Sequence, residues 1–230
     1  MNFINNLKLL IQLLKYSRYN FSLCKTYQIL QIKKQKFKKE IIEFGSNNYE
    51  ESLIKYNSLK KDFVYFSNLF KNKNKNYIHL NLEKKNIYKK KLKFSNVLLF
   101  NVLEHISNDQ NALTEVEKLL KKKGKLFIST PFLYRYHKAP KDYKRYTLDY
   151  FEEIFQKNKK FKIIKKLSLG TGPFLASYSL LFDYLKKIPL MKYPILTLCF
   201  LLDIVLKSFH KNKNTNLYPI CILIIIKKIN

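Results

Sequence analysis

From residue 40 onward, short apolar runs alternate with longer stretches whose apolar positions recur every three or four residues. "EIIEF" (40–44), "DFVYF" (62–66), "YIHL" (77–80), "NVLLF" (96–100), "KLFIST" (125–130), "FKIIKKLSL" (161–169) and "YPICILIIIKKI" (218–229) read as seven strands. Between them, 49–61, 109–122 and 147–157 carry the helical period, the last with Thr147 as a cap and acids in its first turns. Strands alternating with helices predict an α/β fold with a doubly wound, mostly parallel sheet covered on both faces. Before residue 40, Leu7, Ile11 and Leu14, then Ile29 and Ile32, fall at helical spacing. The expected organisation is a helical extension over 1–39 and one domain over 40–230.

Residues 174–209 interrupt the alternation. They are richly apolar, broken by Pro189 and Pro194 and dotted with lysines. Two readings stand side by side: a helical cap or dimer surface over the last strands, or a helical pair that lies in a membrane interface or covers an acyl substrate. No run of eighteen consecutive apolar residues occurs, so no spanning helix is expected. The first forty residues lack the uninterrupted apolar run and cleavage site of a signal peptide. A cytoplasmic protein, with peripheral contact to an anionic membrane as an added option, is the expectation.

Composition changes this picture less than its charge suggests. The 230 residues carry a formal net charge of +29, which by itself points to nucleic acid or an anionic membrane. The lysines are spread along the chain, however, and Lys, Asn and Ile are all inflated while glycine falls to four and tryptophan to none. This is the signature of an AT-rich coding bias, so nucleic-acid binding is not expected. Cys24, Cys199 and Cys221 are odd in number and widely spaced, which predicts free thiols and no zinc cluster.

In an open parallel sheet, ligands bind beyond the carboxyl ends of the strands. The first strand ends in "EFGSNN" (43–48), where Gly45 lets backbone N–H groups approach a ligand. "FNVLEHI" (100–106) follows another strand; Glu104 and His105 have no second histidine at helical spacing, so no HExxH zinc site is present. The segment "PFLYRYHKAPKDYKRYT" (131–147) holds two of the three arginines in a lysine-dominated chain. Arginine supplies a planar fork for carboxylate or phosphate, so this stretch suits a pocket wall. Asp142 and Arg145 also have the spacing to pair with each other and pin the loop.

Taken in order, "IIEFGS", "NVLLFNVLEHI", "LTEVEKLLKKKGKLFISTPF" and "YHKAPKDYKRYT" resemble the class I S-adenosylmethionine-dependent methyltransferases. The resemblance covers about residues 40 to 168 and is nearest to the type-11-like branch often associated with cell-surface sugar genes. It implies a seven-stranded Rossmann-like methyltransferase fold and S-adenosylmethionine as cofactor. It implies a small-molecule, lipid-linked or surface-glycan sugar acceptor, and no metal. Glu43, Gly45, Ser46 and Asn47 match the loop that holds the methionine part of the cofactor. The second strand end, with an acid for the ribose in the family, carries Ser67 and Asn68 here; the third, with an acid near the adenine, carries Asn81 and Leu82. Asn101 and Val102 match the positions near the sulfonium. An aligned donor needs little further chemistry beyond a base for an oxygen nucleophile, for which His137, Asp142 and His105 are the candidates, with Arg145 holding the acceptor. The absent acids also allow a degenerate, non-catalytic fold that serves as a scaffold or binding partner.

Overall fold

The computed structural model describes residues 3–37, 40–86, 92–209 and 217–229. It contains α1 (Phe3–Ser17), α2 (Leu23–Lys33), β1 (Ile41–Phe44), β2 (Val64–Ser67), β3 (Phe94–Phe100), α3 (Asp109–Leu119), β4 (Leu120–Pro131), α4 (Leu148–Lys157), β5 (Phe161–Leu169), α5 (Pro173–Leu185), α6 (Pro189–Phe209) and β6 (Cys221–Lys228). The strands form one sheet in the order β2-β1-β3-β4-β6-β5. β1 pairs in parallel with β2 (Ile41 opposite Val64) and with β3 (Ile41 opposite Asn96), and β3 pairs in parallel with β4. Bonds from Phe132 N to Ile220 O and from Leu133 N to Pro219 O advance along one chain as they retreat along the other, so β6 is antiparallel to β4. The bonds Ile220 N to Leu169 O and Ile229 N to Lys160 O show the same for β5.

The α/β class and the mostly parallel sheet agree with the sequence pattern, and the described residues form six strands instead of seven. The expected strand at 77–80 is reduced to a single parallel bridge between Phe66 and Tyr77. Its polar groups are committed elsewhere: the Tyr77 hydroxyl donates to the carbonyls of Asn68 and Phe70, and His79 bonds the Leu69 carbonyl. These contacts fold 68–79 onto the end of β2 and leave it no length to extend the ladder.

The helix expected over 49–61 is also absent, replaced by single 3-10 turns at Ile54–Tyr56 and Lys61–Phe63. Here side chains take the backbone donors that a helix would use. Asn48 Oδ1 accepts from the N–H groups of Glu50 and Glu51, and the buried Glu43 carboxylate accepts from Leu53 N. The helix expected over 109–122 stops at Leu119, because β4 begins at Leu120 and Gly124 lies inside that strand. Pairing jumps there, from Phe94 opposite Leu120 to Asn96 opposite Lys125. A Cβ on Gly124 would stand 2.8 Å from the Lys121 carbonyl, so the irregular stretch requires glycine. Thr147 does cap α4, accepting from Tyr150 N at 3.2 Å.

The chain divides into two compact units, the first made of 1–27, 132–135 and 168–221 and the second of 28–131, 136–167 and 222–230. The boundary expected at residue 39 falls outside the described residues. The second unit holds the main apolar core, in which Ile42 and Phe44 of β1, Val97 and Leu99 of β3, and Leu126 and Ile128 of β4 meet Val116 of α3 and Phe151 of α4. Burial of side chains of this size contributes about 1.5–3 kcal/mol each. In the first unit, α5 and α6 lie side by side and α6 also meets α1. Asp203 of α6 accepts from the N–H groups of Phe174 and Leu175, at 2.9 and 3.0 Å, so it serves as the cap of α5. None of the three cysteines is in a disulfide.

Candidate functional site

Strand order reverses at β1, which has β2 on one side and β3 on the other. Beyond the carboxyl ends of these three strands lies a cleft of ≈ 720 Å³, within the range of small-molecule sites. Gly45 lines it at the end of β1, Ser67 and Asn68 at the end of β2, and Asn101 and Val102 at the end of β3. Leu80 to Lys84 form a further wall, and His105, Ile106, Ala139 to Lys141 and Tyr143 complete it. Of the ten residues that the resemblance assigns to the cofactor, seven line the cleft: Gly45, Ser67, Asn68, Asn81, Leu82, Asn101 and Val102. Glu43, Ser46 and Asn47 are not part of its lining.

Glu43 has a different task. Its buried carboxylate accepts from Ser46 Oγ at 3.0 Å, Ser52 Oγ at 2.5 Å and Leu53 N at 3.1 Å. Burial pushes its pKa up, opposed by these donors. Glu43 therefore ties the 45–54 loop to β1. Gly45 sits in that loop at φ +87, where any Cβ would also lie 3.1 Å from Val102 Cγ2. Asn47 helps close the neighbouring wall by accepting from Asn68 Nδ2 at 3.1 Å.

The floor at the end of β3 is held by an amide network. Asn101 has a left-handed backbone, φ 55, and its side chain exchanges two hydrogen bonds with Gln28 of α2, at 2.7 and 3.0 Å. Gln28 also donates to Ser129 Oγ, which donates to the Ile222 carbonyl. Sequence reasoning did not single out Gln28, because nothing local marks a glutamine on an early helix as a neighbour of residues 101 and 129.

It also missed an acid. Glu83 lines the cleft and accepts from Ser107 N at 2.8 Å and Ser107 Oγ at 2.9 Å. The wall that looked neutral at Asn81 and Leu82 thus carries a carboxylate one residue further on. The signal was present in the string "NLEKK", but without a regular strand before it the register was open.

Among the candidate catalytic residues, only His105 lines the cleft; His137, Asp142 and Arg145 stand beside it in a linked group. Arg145 grips Asp142 with both terminal nitrogens, at 2.5 and 2.7 Å. The Asp142 carboxylate also accepts from His137 N at 2.8 Å and lies 3.4 Å from His137 Nδ1. The Arg145 hydrogen bonds hold the Asp142 pKa down, at about 2. Pairing within the loop is therefore the observed role of Asp142 and Arg145. The rings of His105 and His137 meet edge to face with centroids 4.8 Å apart. Beneath them Glu104 is 0% exposed, and neither of its carboxylate oxygens has a hydrogen-bond partner among the described residues. Burial raises its pKa to about 8. Tyr146 is buried and donates to the Leu103 carbonyl, while Tyr143 lines the cleft. Arg135 belongs to the other unit, where it pairs with Asp183.

No family model matches the sequence, and no curated protein matches it. Solved structures do. The chain is similar to an S-adenosylmethionine dependent methyltransferase from Mesorhizobium loti, with TM-score 0.55 and 10% identity over 89% of this chain and 98% of that one. It is similar to phosphoethanolamine N-methyltransferase 2 from Haemonchus contortus in complex with S-adenosyl-L-methionine, with TM-score 0.53 and 14% identity over 88% of this chain and 52% of that one. The cyclase SpnF is a third, with TM-score 0.52 and 8% identity over 87% and 78%. At such identities the likeness shows the fold, the Rossmann-like α/β fold of S-adenosylmethionine-dependent methyltransferases.

Proposed function

We propose that the protein transfers a methyl group from S-adenosylmethionine to a small-molecule, sugar or lipid-linked acceptor. The observation that carries this reading is the cleft at the reversal of strand order, lined by strand-end residues and sized for a nucleoside-bearing ligand. The bound cofactor supplies an activated methyl donor, and the chain must position and desolvate it. Gly45 keeps the loop backbone open to the methionine part. Ser67 and Asn68 offer neutral partners to the ribose, and the Glu83 carboxylate adds the charged acceptor that 67, 68 and 81 lack. Asn101, fixed by Gln28, presents a rigid floor at the sulfonium position. The carboxylate at Glu83 weighs against a degenerate scaffold. Because the fold also serves a cyclase, binding must be tested directly. Calorimetry with S-adenosylhomocysteine should give one site per chain, weakened at least tenfold by Gly45→Asp, which fills the loop side of the cleft. Silence at millimolar ligand would sink the proposal. Methyl labelling of a cell extract, fractionated into lipid, glycan, protein and nucleic acid, then identifies the acceptor class.

For the first unit we infer contact with an anionic bilayer surface. α6 has 21 residues and is apolar enough by length and composition to cross a membrane, although it holds no run of eighteen consecutive apolar residues. Its Lys192 is instead buried and donates to the Ser17 carbonyl and Asn20 Oδ1, and its Asp203 caps α5, so polar bonds fasten it within its unit. The outward faces remain apolar: Leu190 (90% exposed), Leu198, Leu201, Val205 and Phe209 on α6, Leu181 and Tyr184 on α5, Phe3, Ile4, Leu7 and Ile11 on α1. Asp183 and Asp203 are the only acids in this unit's sequence, and both are paired or capping. Exposed apolar side chains in a unit that also exposes Lys8, Lys15 and Lys187 match anionic lipid. Flotation with phosphatidylglycerol vesicles should recover the protein at low salt, and Leu190→Glu with Leu201→Glu should abolish recovery. Protein that stays at the bottom of the gradient while self-associating in the ultracentrifuge would mean that these faces bury against a second copy.

A further inference from the structure

We infer that Glu104, His105 and His137 form a binding site for one divalent cation of borderline character, of the zinc or ferrous type. The three side chains come from two segments, the 3-10 turn Leu103–His105 that follows β3 and the stretch 136–146 that returns over it. Their candidate ligand atoms all lie within 4.8 Å of one another. The inference does not depend on the methyl-transfer reading, since it concerns residues outside those assigned to the cofactor.

The hydrogen-bond directions carry the argument. His105 Nδ1 lies 2.5 Å from the Lys141 carbonyl. A carbonyl only accepts, so Nδ1 carries the proton and Nε2 of the neutral ring carries a lone pair. That Nε2 faces Glu104 Oε1 at 3.8 Å. Nε2 and Oε1 stand too far apart to share a proton in a hydrogen bond, whether the carboxyl is ionised or not. They are within the span of two metal–ligand bonds of about 2.1 Å each, and a contraction of a few tenths of an ångström brings them to tetrahedral spacing. A cation between them would satisfy both, and with them the carboxylate that is fully buried and has no hydrogen-bond partner among the described residues.

The surroundings have the form that supports metal-bound imidazoles. Such rings usually give their second N–H to a backbone carbonyl or a carboxylate, which fixes tautomer and orientation. His105 does so to Lys141 O, and the Asp142 carboxylate lies 3.4 Å from Nδ1 of His137. Arg145 is held by two bonds to Asp142, and neither Glu104 oxygen receives a hydrogen bond from it. Two imidazoles and one carboxylate select zinc, ferrous or cobaltous ions over magnesium or calcium. Three protein ligands leave coordination open for an outside group. Because His105 also lines the cleft, that group would be a hydroxyl or phosphate of whatever ligand the cleft holds, polarised by the ion as a Lewis acid. The sequence could not show this, because His137 lies thirty-two residues beyond His105 and only the fold brings them together.

The test uses the full chain, stripped with chelator and titrated with Zn2+ by calorimetry and with Co2+ by visible absorption. One ion per chain should bind with micromolar or tighter affinity, and cobalt should give the spectrum of nitrogen and oxygen ligands. Glu104→Gln and His137→Gln should each weaken binding at least tenfold with the circular dichroism unchanged, while His79→Gln, at an exposed histidine outside the trio, should not. Should Glu104→Gln fail to fold, His137→Gln alone decides, since that ring is partly exposed. No stoichiometric binding, or binding that persists in His137→Gln, overturns the site. Loss in His79→Gln instead would place the ion elsewhere and overturn it equally.

Discussion

Glu43 decides between two accounts of the first strand end. Its carboxylate receives Ser46 Oγ, Ser52 Oγ and Leu53 N and does not line the cleft. Glu43→Ala would strand a buried N–H and two hydroxyls. A stranded buried donor costs about 1–3 kcal/mol, and the hydroxyls, which rotate, lose less. Relief from burying the carboxylate offsets part of this, so the net loss should be roughly 2–4 kcal/mol. For a chain of this length that lowers the melting temperature by roughly 5–15 °C. Glu43→Gln keeps the shape and one acceptor oxygen, and Ser52 Oγ already accepts from Ile54 N, so it can turn to the new amide. That variant should lose only about 1 kcal/mol. Thermal unfolding followed by circular dichroism, beside calorimetry with S-adenosylhomocysteine, reads both quantities. In the bracing account, stability falls in the order wild type, Gln, Ala, and ligand affinity falls with it. If Glu43→Ala instead abolished ligand binding with the melting temperature within 2 °C of wild type, the carboxylate would be acting on the ligand and the bracing account would be wrong.

Gly45→Ala should cost about 1–2 kcal/mol for the left-handed backbone alone and weaken S-adenosylhomocysteine several-fold. Adding Val102→Ala relieves the 3.1 Å contact but not the backbone, so a full rescue of stability would show that φ is not the constraint. Asp109 offers a pH test. Burial raises its pKa, but hydrogen bonds from Tyr150 and Lys144 outweigh this and leave it below the ordinary value of about 3.9. A depressed carboxylate stabilises above its unfolded pKa and loses that contribution as pH falls through the folded value. Asp109→Asn should therefore be less stable than wild type at pH 7, with the gap closing below pH 4; a gap constant from pH 7 to pH 2.5 would refute the linkage.

The sequence was most legible where placement follows from position along a strand. Gly45, Ser67, Asn68, Asn101 and Val102, which the resemblance singles out, each follow an apolar run, and the fold gathers those ends at one cleft. It was least legible where side chains override local periodicity. The 49–61 stretch has a helical pattern, but Asn48 and Glu43 claim its backbone donors and only the second of these is visible as a buried acid once the fold is known. Glu83 was hidden by the loss of a regular third strand, and Gln28 by distance. The segment 131–147 was recognised from its arginines, yet Arg145 is occupied by Asp142, and it is the histidine of that segment which meets Glu104 and His105.

The bond from Gln28 to Asn101 spans 73 residues, and that to Ser129 spans 101. α2 leaves the ribosome long before either partner exists, and loop-closure entropy must be met before such distant contacts reward it. The floor of the cleft therefore cannot close before β4 has been synthesised. A nascent chain that has made β1 and β2 has no place yet for a ligand, and whatever binds the finished cleft acts as the latch on a folding reaction that β4 has only just made closable.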